Sequence, residues 1–105
     1  MRVLLDENLP HDLRHELPGH VVSTVKGRRW AGLKNGKLLN RMNDEIDAFL
    51  TMDQSIEFQQ NIAKLSFGII VIRARSNRMV DLRPLINDIL KALSYVQPGT
   101  LRRVG

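Results

Sequence analysis

The sequence predicts an α/β protein with a mainly parallel sheet of four to five strands, and three observations carry that prediction. Short apolar runs recur along the 105 residues, and one of them, Gly68-Ile-Ile-Val-Ile, is almost wholly β-branched. Stretches with apolar residues at three- and four-residue spacing separate these runs, so strand and helix alternate as in βαβ units. Two of the runs stop at a carboxylate, Asp6 and Asp53. In an open parallel sheet the carboxyl ends of the strands are where ligands bind. Covering such a sheet on both faces gives a three-layer α/β/α sandwich, here a single domain spanning 1–105.

The elements follow in order. Arg2 to Leu5 forms the first strand. Asn8 is the expected cap of a helix with Pro10 in its first turn and Leu9, Leu13 and Leu17 on its buried stripe. Pro18-Gly19 stops it, and His20 to Val25 forms the second strand. Asn35 is the expected cap of a helix carrying Leu38, Leu39 and Met42. Ile46 to Met52 forms the third strand, and Asp53 or Ser55 caps a helix with Phe58, Ile62 and Leu65. Gly68 to Ile72 is a central strand. A helix from about Asp81 to Leu93 places Pro84 in its first turn, with Asp81 as cap. Gln97-Pro98-Gly99 turns the chain into a last strand, Thr100 to Val104. Right-handed crossovers favour the order 2-1-3-4 with the last strand at an edge. Strands one and three are then neighbours, about 4.8 Å apart, and bring Asp6 beside Asp53.

Composition narrows the function classes. Hydrophobic residues make up 43% and charged residues 26%, which is ordinary for a globular protein. No apolar run approaches the roughly 20 residues that span a bilayer, and no signal-peptide pattern opens the chain. With no cysteine, thiolate and disulfide chemistry is excluded, and the expected location is the cytoplasm. His11 and His15 are four apart but lack a matching third ligand, so they read as surface residues. The net charge of +5 and a pI near 10.2 suit an acidic partner. Lys26, Arg28, Arg29, Lys34, Lys37 and Arg41 follow one another with no acid between them, and Trp30 lies inside that run. Trp30 either stacks on a base or, the favoured reading, plugs the core.

Two strand-end carboxylates repel one another unless a cation, a proton or an arginine intervenes. Oxygen-only ligands at such an edge suit Mg²⁺ or Mn²⁺, which keep several waters and meet phosphate. Asp6 and Asp53 are the candidate metal ligands, Glu7 a third ligand or water-orienting group, and Asn8 and Gln54 orienting neighbours. Arg73 and Arg75 leave the fourth strand at the same edge, where a guanidinium can fork onto phosphate or pair with Asp53. The competing reading is that Asp6, Asn8 and Asp53 only cap helices.

The segments Leu4-Leu-Asp-Glu-Asn-Leu-Pro10, Gly32-Leu-Lys-Asn-Gly-Lys-Leu-Leu39, Phe49-Leu-Thr-Met-Asp-Gln54 and Val71-Ile-Arg-Ala-Arg-Ser76 resemble the small PIN-like domain family, in order and through nearly the whole chain. Members of that family are regarded as nucleases of toxin–antitoxin systems. The resemblance implies a PIN-like α/β/α sandwich, an acidic Mg²⁺- or Mn²⁺-binding centre, RNA as substrate and a small antitoxin as partner. It maps the first-strand acid onto Asp6 and the acid after Thr-x onto Asp53. Asn35 stands where the family often has an aspartate, which adds it to the orienting candidates. Lys34 and Lys37 join Arg73 and Arg75 as expected contacts to RNA phosphates, and a second copy of the chain is a further candidate partner. Two other readings are carried forward. One is a non-catalytic RNA- or protein-binding module. The other is a phosphoacceptor receiver, which also has acids ending strands one and three.

Overall fold

The computed structural model describes residues 1–33, 35–59 and 61–105, apart from the side chains of Asn35 and Gln59. Five strands, β1 (Arg2–Leu5), β2 (Val21–Thr24), β3 (Ala48–Thr51), β4 (Gly68–Ile72) and β5 (Leu101–Val104), form one all-parallel sheet in the order β2-β1-β3-β4-β5. The expected order and the edge position of the last strand are both observed. The helices are α1 (Asn35–Met42), α2 (Ile56–Gln59), α3 (Met79–Leu82) and α4 (Ile86–Tyr95), with 3₁₀ turns at His11–Glu16, Ile62–Lys64 and Arg83–Leu85.

Alternation along the strands divides the core in two. Val3, Leu5, Ala48, Leu50, Ile70, Ile72 and Val104 pack on one face against Leu13 and Leu17 of the first turn segment and Leu82, Ile89 and Leu93 of the last helices. Leu4, Phe49, Ile69 and Val71 pack on the other against Leu38, Leu39, Met42, Ile56 and Phe67. Helical layers therefore cover both faces, as the unbroken apolar strands require. Trp30 belongs to the second core and is only 7% exposed, so it plugs the core as expected.

This division shows a departure from uniform crossover handedness. The chain steps from β1 to β2 over the first face, then from β2 past β1 to β3, and on to β4, over the second. Those three connections share one hand. The β4–β5 connection moves in the same direction as the two before it but returns to the first face, so its hand is opposite. α1 and α2 already occupy the second face of β3 and β4, whereas only residues 73–100 are left to cover Leu50, Ile70 and Ile72 on the first.

Several local expectations are corrected. Asn8 caps no helix: the 3₁₀ turn starts after Pro10, and the Asn8 side chain reaches across to β3. The third helix is a single turn, and Phe58, expected on its buried stripe, is 82% exposed. The long helix expected from Asp81 is divided at Pro84, which lies in the 3₁₀ turn between α3 and α4. Arg78 stands at its start, while Asp81 sits inside α3 and accepts a hydrogen bond from the Ser76 hydroxyl. Proline lacks the N–H that a continuous helix would use there. The Asn35 cap lies outside the described residues.

Gly68 opens β4 where the chain after α4 crosses closely above it. A Cβ there would collide with the Val96 side chain and the Gln97 carbonyl. Gly68→Ala is expected to lower stability by about 1–3 kcal/mol, the usual range for overpacking a tight site, as read by urea denaturation.

Candidate functional site

Asp6 lies one residue past β1, between β2 and β3, where the chain reverses its direction of travel across the sheet. Its amide donates to the Leu50 carbonyl, which carries the parallel ladder past the strand end. In register, Leu5 sits beside Leu50, so the ends of β1 and β3 are adjacent. Thr51, the last residue of β3, is fully buried. Its hydroxyl donates to Asp6 Oδ2 at 2.7 Å and accepts from the Asn8 side-chain amide at 3.3 Å and the Asp53 amide at 3.0 Å. One donor and two lone pairs are thus all in use.

Asn8 completes this bridge. Its amide nitrogen also donates to Asp6 Oδ2, at 3.3 Å, and its side-chain oxygen accepts from the Met52 N–H. The Glu7 amide donates to Asp6 Oδ1 at 2.8 Å. The Asp6 carboxylate is therefore held in one orientation by groups from both strand ends. Burial raises its pKa above the ordinary aspartate value, and the charges of Glu7 and Asp53 act in the same direction. Hydrogen bonds from Thr51 and the Glu7 amide oppose the rise without cancelling it.

Asp53 lies two residues past β3 and partly caps the turn leading into α2: its Oδ1 accepts from the Ser55 amide and hydroxyl at 3.0 and 2.8 Å. Asp53 thus closes the turn ahead of α2 by holding Ser55, the residue before the helix, while its charge still reaches Asp6. Gln54 does not orient either acid. Its amide donates to the Ile72 and Met52 carbonyls at 2.9 and 3.2 Å and ties the ends of β3 and β4 together. Glu7 is exposed beside Asp6. Glu57 pairs with Arg103 at the far edge of the sheet.

Arg73 and Arg75 follow β4 and are exposed, with no ion pair or side-chain hydrogen bond among the described residues. The strand ends at Ile72, so its alternation does not extend to them, and neither pairs with Asp53. Lys37 is exposed on α1; Lys34 lies outside the described residues.

Asp6 and Glu7 line a cleft of about 290 Å³ together with Leu9, His11, Thr24, Lys26 and Ala31. The sequence places Lys26 in the basic run and His11 among surface histidines, but puts neither beside Asp6, because neither lies in a recognisable spacing with it. Thr51 was also missed as a positioning residue. Its only signal was the Thr-x-Asp spacing, and threonine is an ordinary strand residue.

No protein-family model, curated protein or solved structure matches the chain.

Two expectations follow from the geometry. The native state holds the Asp6 proton more tightly than the unfolded chain does. This contribution to stability is therefore present at low pH and lost as pH rises through the native Asp6 pKa. Relative to Asp6→Asn, wild type is expected to gain melting temperature as the solution is acidified from neutral pH, whatever the fixed cost of turning an amide NH2 toward the donors around Asp6. Thr51→Val leaves the Asn8 amide and the Asp53 N–H without their buried acceptor. It is expected to cost about 1–3 kcal/mol in chemical denaturation.

Proposed function

We propose that the chain is a PIN-like, metal-dependent ribonuclease, the toxin half of a toxin–antitoxin pair. One observation carries the reading: a half-buried, hydrogen-bonded Asp6 with a raised pKa stands next to the end of β3, where Asp53 adds a second negative charge. Burying carboxylates together at a strand edge is unfavourable without a counter-charge, and a divalent cation reverses the rise in pKa. The donor set suits Mg²⁺ or Mn²⁺, which need only one or two carboxylates and otherwise keep water. No group of three or more His, Asp or Glu side chains meets among the described residues, so Asp6 and Asp53 would share the ion with solvent.

Bound there, such an ion supplies a more acidic water and neutralises charge on a phosphodiester. The protein's part is positioning. Thr51 and Asn8 fix the Asp6 oxygens, leaving Oδ1 with acceptor capacity beyond the Glu7 N–H. Glu7 would orient the attacking water and receive its proton as the new P–O bond forms, while the ester P–O bond breaks and its leaving oxygen takes a proton from solvent. Arg73 and Arg75 steady the phosphate, and the basic segment ahead of α1, with Lys34 and Lys37, steers the RNA. A small antitoxin would cover this edge.

The receiver reading has less support. Thr51, not a carboxylate, ends β3, and its hydroxyl is committed to Asp6. An exposed arginine, Arg73, follows β4 where a receiver needs a hydroxyl.

The test is cleavage of a mixed single-stranded RNA pool with Mn²⁺, Mg²⁺ or chelator, using wild type, Asp6→Asn and Asp53→Asn. Metal-dependent cutting, lost by at least about 100-fold in both variants, is the expected result. Mn²⁺ is also expected to raise the melting temperature of wild type but not of Asp6→Asn. Folded wild type that cuts under no metal would replace this reading with the non-catalytic binding module.

A further inference from the structure

A second cleft, of about 520 Å³, lies on the other side of the segment joining β2 to α1. Lys26 and Ala31 of that segment line the Asp6 cleft, while Arg29, Trp30 and Leu33 line the second one with Lys37, Asn40 and Arg41. The lining holds three cations and no acid. Arg29, Lys37 and Arg41 have no ion-pair partner among the described residues. Clustered like charges destabilise a fold unless an anion joins them.

The floor is prepared for something more than a simple anion. Guanidinium carbons of Arg28 and Arg41 stand 5.0 and 5.5 Å from the Trp30 ring centroid. Arg28 is fixed there by Glu45 and Ser23, each at 2.9 Å. Arg41 has no such anchor, so the ring holds an exposed guanidinium beside the cleft. A guanidinium plane of that kind stacks on a nucleobase while its N–H groups meet phosphate. Arg29 reaches the cleft from a left-handed backbone, φ 61°, which a non-glycine residue rarely adopts. Trp30 itself, largely buried, supports the arginines and leaves little ring for stacking.

We propose that this cleft is a second RNA subsite, holding a single-stranded segment that runs over the β2–α1 segment from the Asp6 cleft. The chemistry recognised is a nucleotide with its backbone phosphate: Lys37 and Arg29 meet phosphate, and Arg41 stacks on the base. Lys26, in the lining of the Asp6 cleft, continues the basic track between the two clefts. The inference rests on the ribonuclease reading for its substrate, but its test does not depend on cleavage.

Binding of a fluorescein-labelled single-stranded oligoribonucleotide is measured by anisotropy in chelator, across a salt series. Proteins compared are wild type, Lys37→Glu, the pair Lys37→Ala with Arg41→Ala, and a control pair, Lys91→Ala with Arg102→Ala, on the opposite face. Circular dichroism confirms that each is folded. The cleft pair is expected to bind about tenfold or more weakly, with the salt slope reduced by roughly 0.7 per cation removed. Lys37→Glu, an exposed change that leaves Arg41 on Trp30, is expected to weaken binding as well. The control pair is expected to bind like wild type. Equal losses in cleft and control pairs, or no loss in either cleft variant, would overturn the subsite. Displacement of RNA by polyglutamate as effectively as by unlabelled RNA of equal charge would also overturn it, in favour of an acidic protein partner. Because binding is read without metal, a protein that cuts nothing can still pass this test, and one that cuts RNA can fail it.

Discussion

A sheet that is apolar on both faces leaves polar chemistry nowhere to go but its strand ends. Every residue of β3 and β4 is buried, and the helical layers seal both sides. At the carboxyl edge the backbone leaves the ladder and its polar groups need new partners. Thr51, Asn8 and Gln54 supply them, tying β1 to β3 and β3 to β4. Asp6 enters this lattice as an acceptor, and its raised pKa is the electrostatic consequence of being held there. Candidate site and sheet closure are therefore one set of hydrogen bonds.

The strands were the most legible part of the sequence. β1 and β4 match their expected bounds, because a short apolar run bounded by charge, or a β-branched run opened by glycine, has few other fates. Helix starts were much less legible. Asn8 and Asp81 are good caps by type, yet each spends its side chain elsewhere: Asn8 on Asp6, Thr51 and Met52, Asp81 on Ser76. A cap rule scores local backbone and cannot register a hydrogen-bond partner 43 or 44 residues away. Phe58 failed for a related reason. Helical spacing was extended through a segment that the structure ends after one turn.

The candidate site shows the same division. Asp6 and Asp53 were visible because a carboxylate ending an apolar strand is conspicuous, and strand order made them neighbours. Thr51 was not, since its identity suits any strand and only the third dimension gives its hydroxyl a task. Gln54, expected near the acids, turned toward the Ile72 carbonyl because β4 leaves that group exposed at the same edge.

The reversed β4–β5 crossover bears on how the chain acquires its structure. One core draws only on residues between Leu4 and Leu101 that cluster around the middle of the chain, from Val25 to Val71. The other joins Val3, Leu9 and Leu13 to Leu82, Leu93 and Val104. During synthesis the part of that face that Leu82, Ile89 and Leu93 cover stays open until α3 and α4 have left the ribosome, although Leu9, Leu13 and Leu17 follow β1 directly. Such long-range closure makes folding slow relative to local helix formation and late relative to translation. Asp6 reaches its half-buried, oriented state beside a face that is sealed last, so a nascent chain carries the acids well before it carries the site.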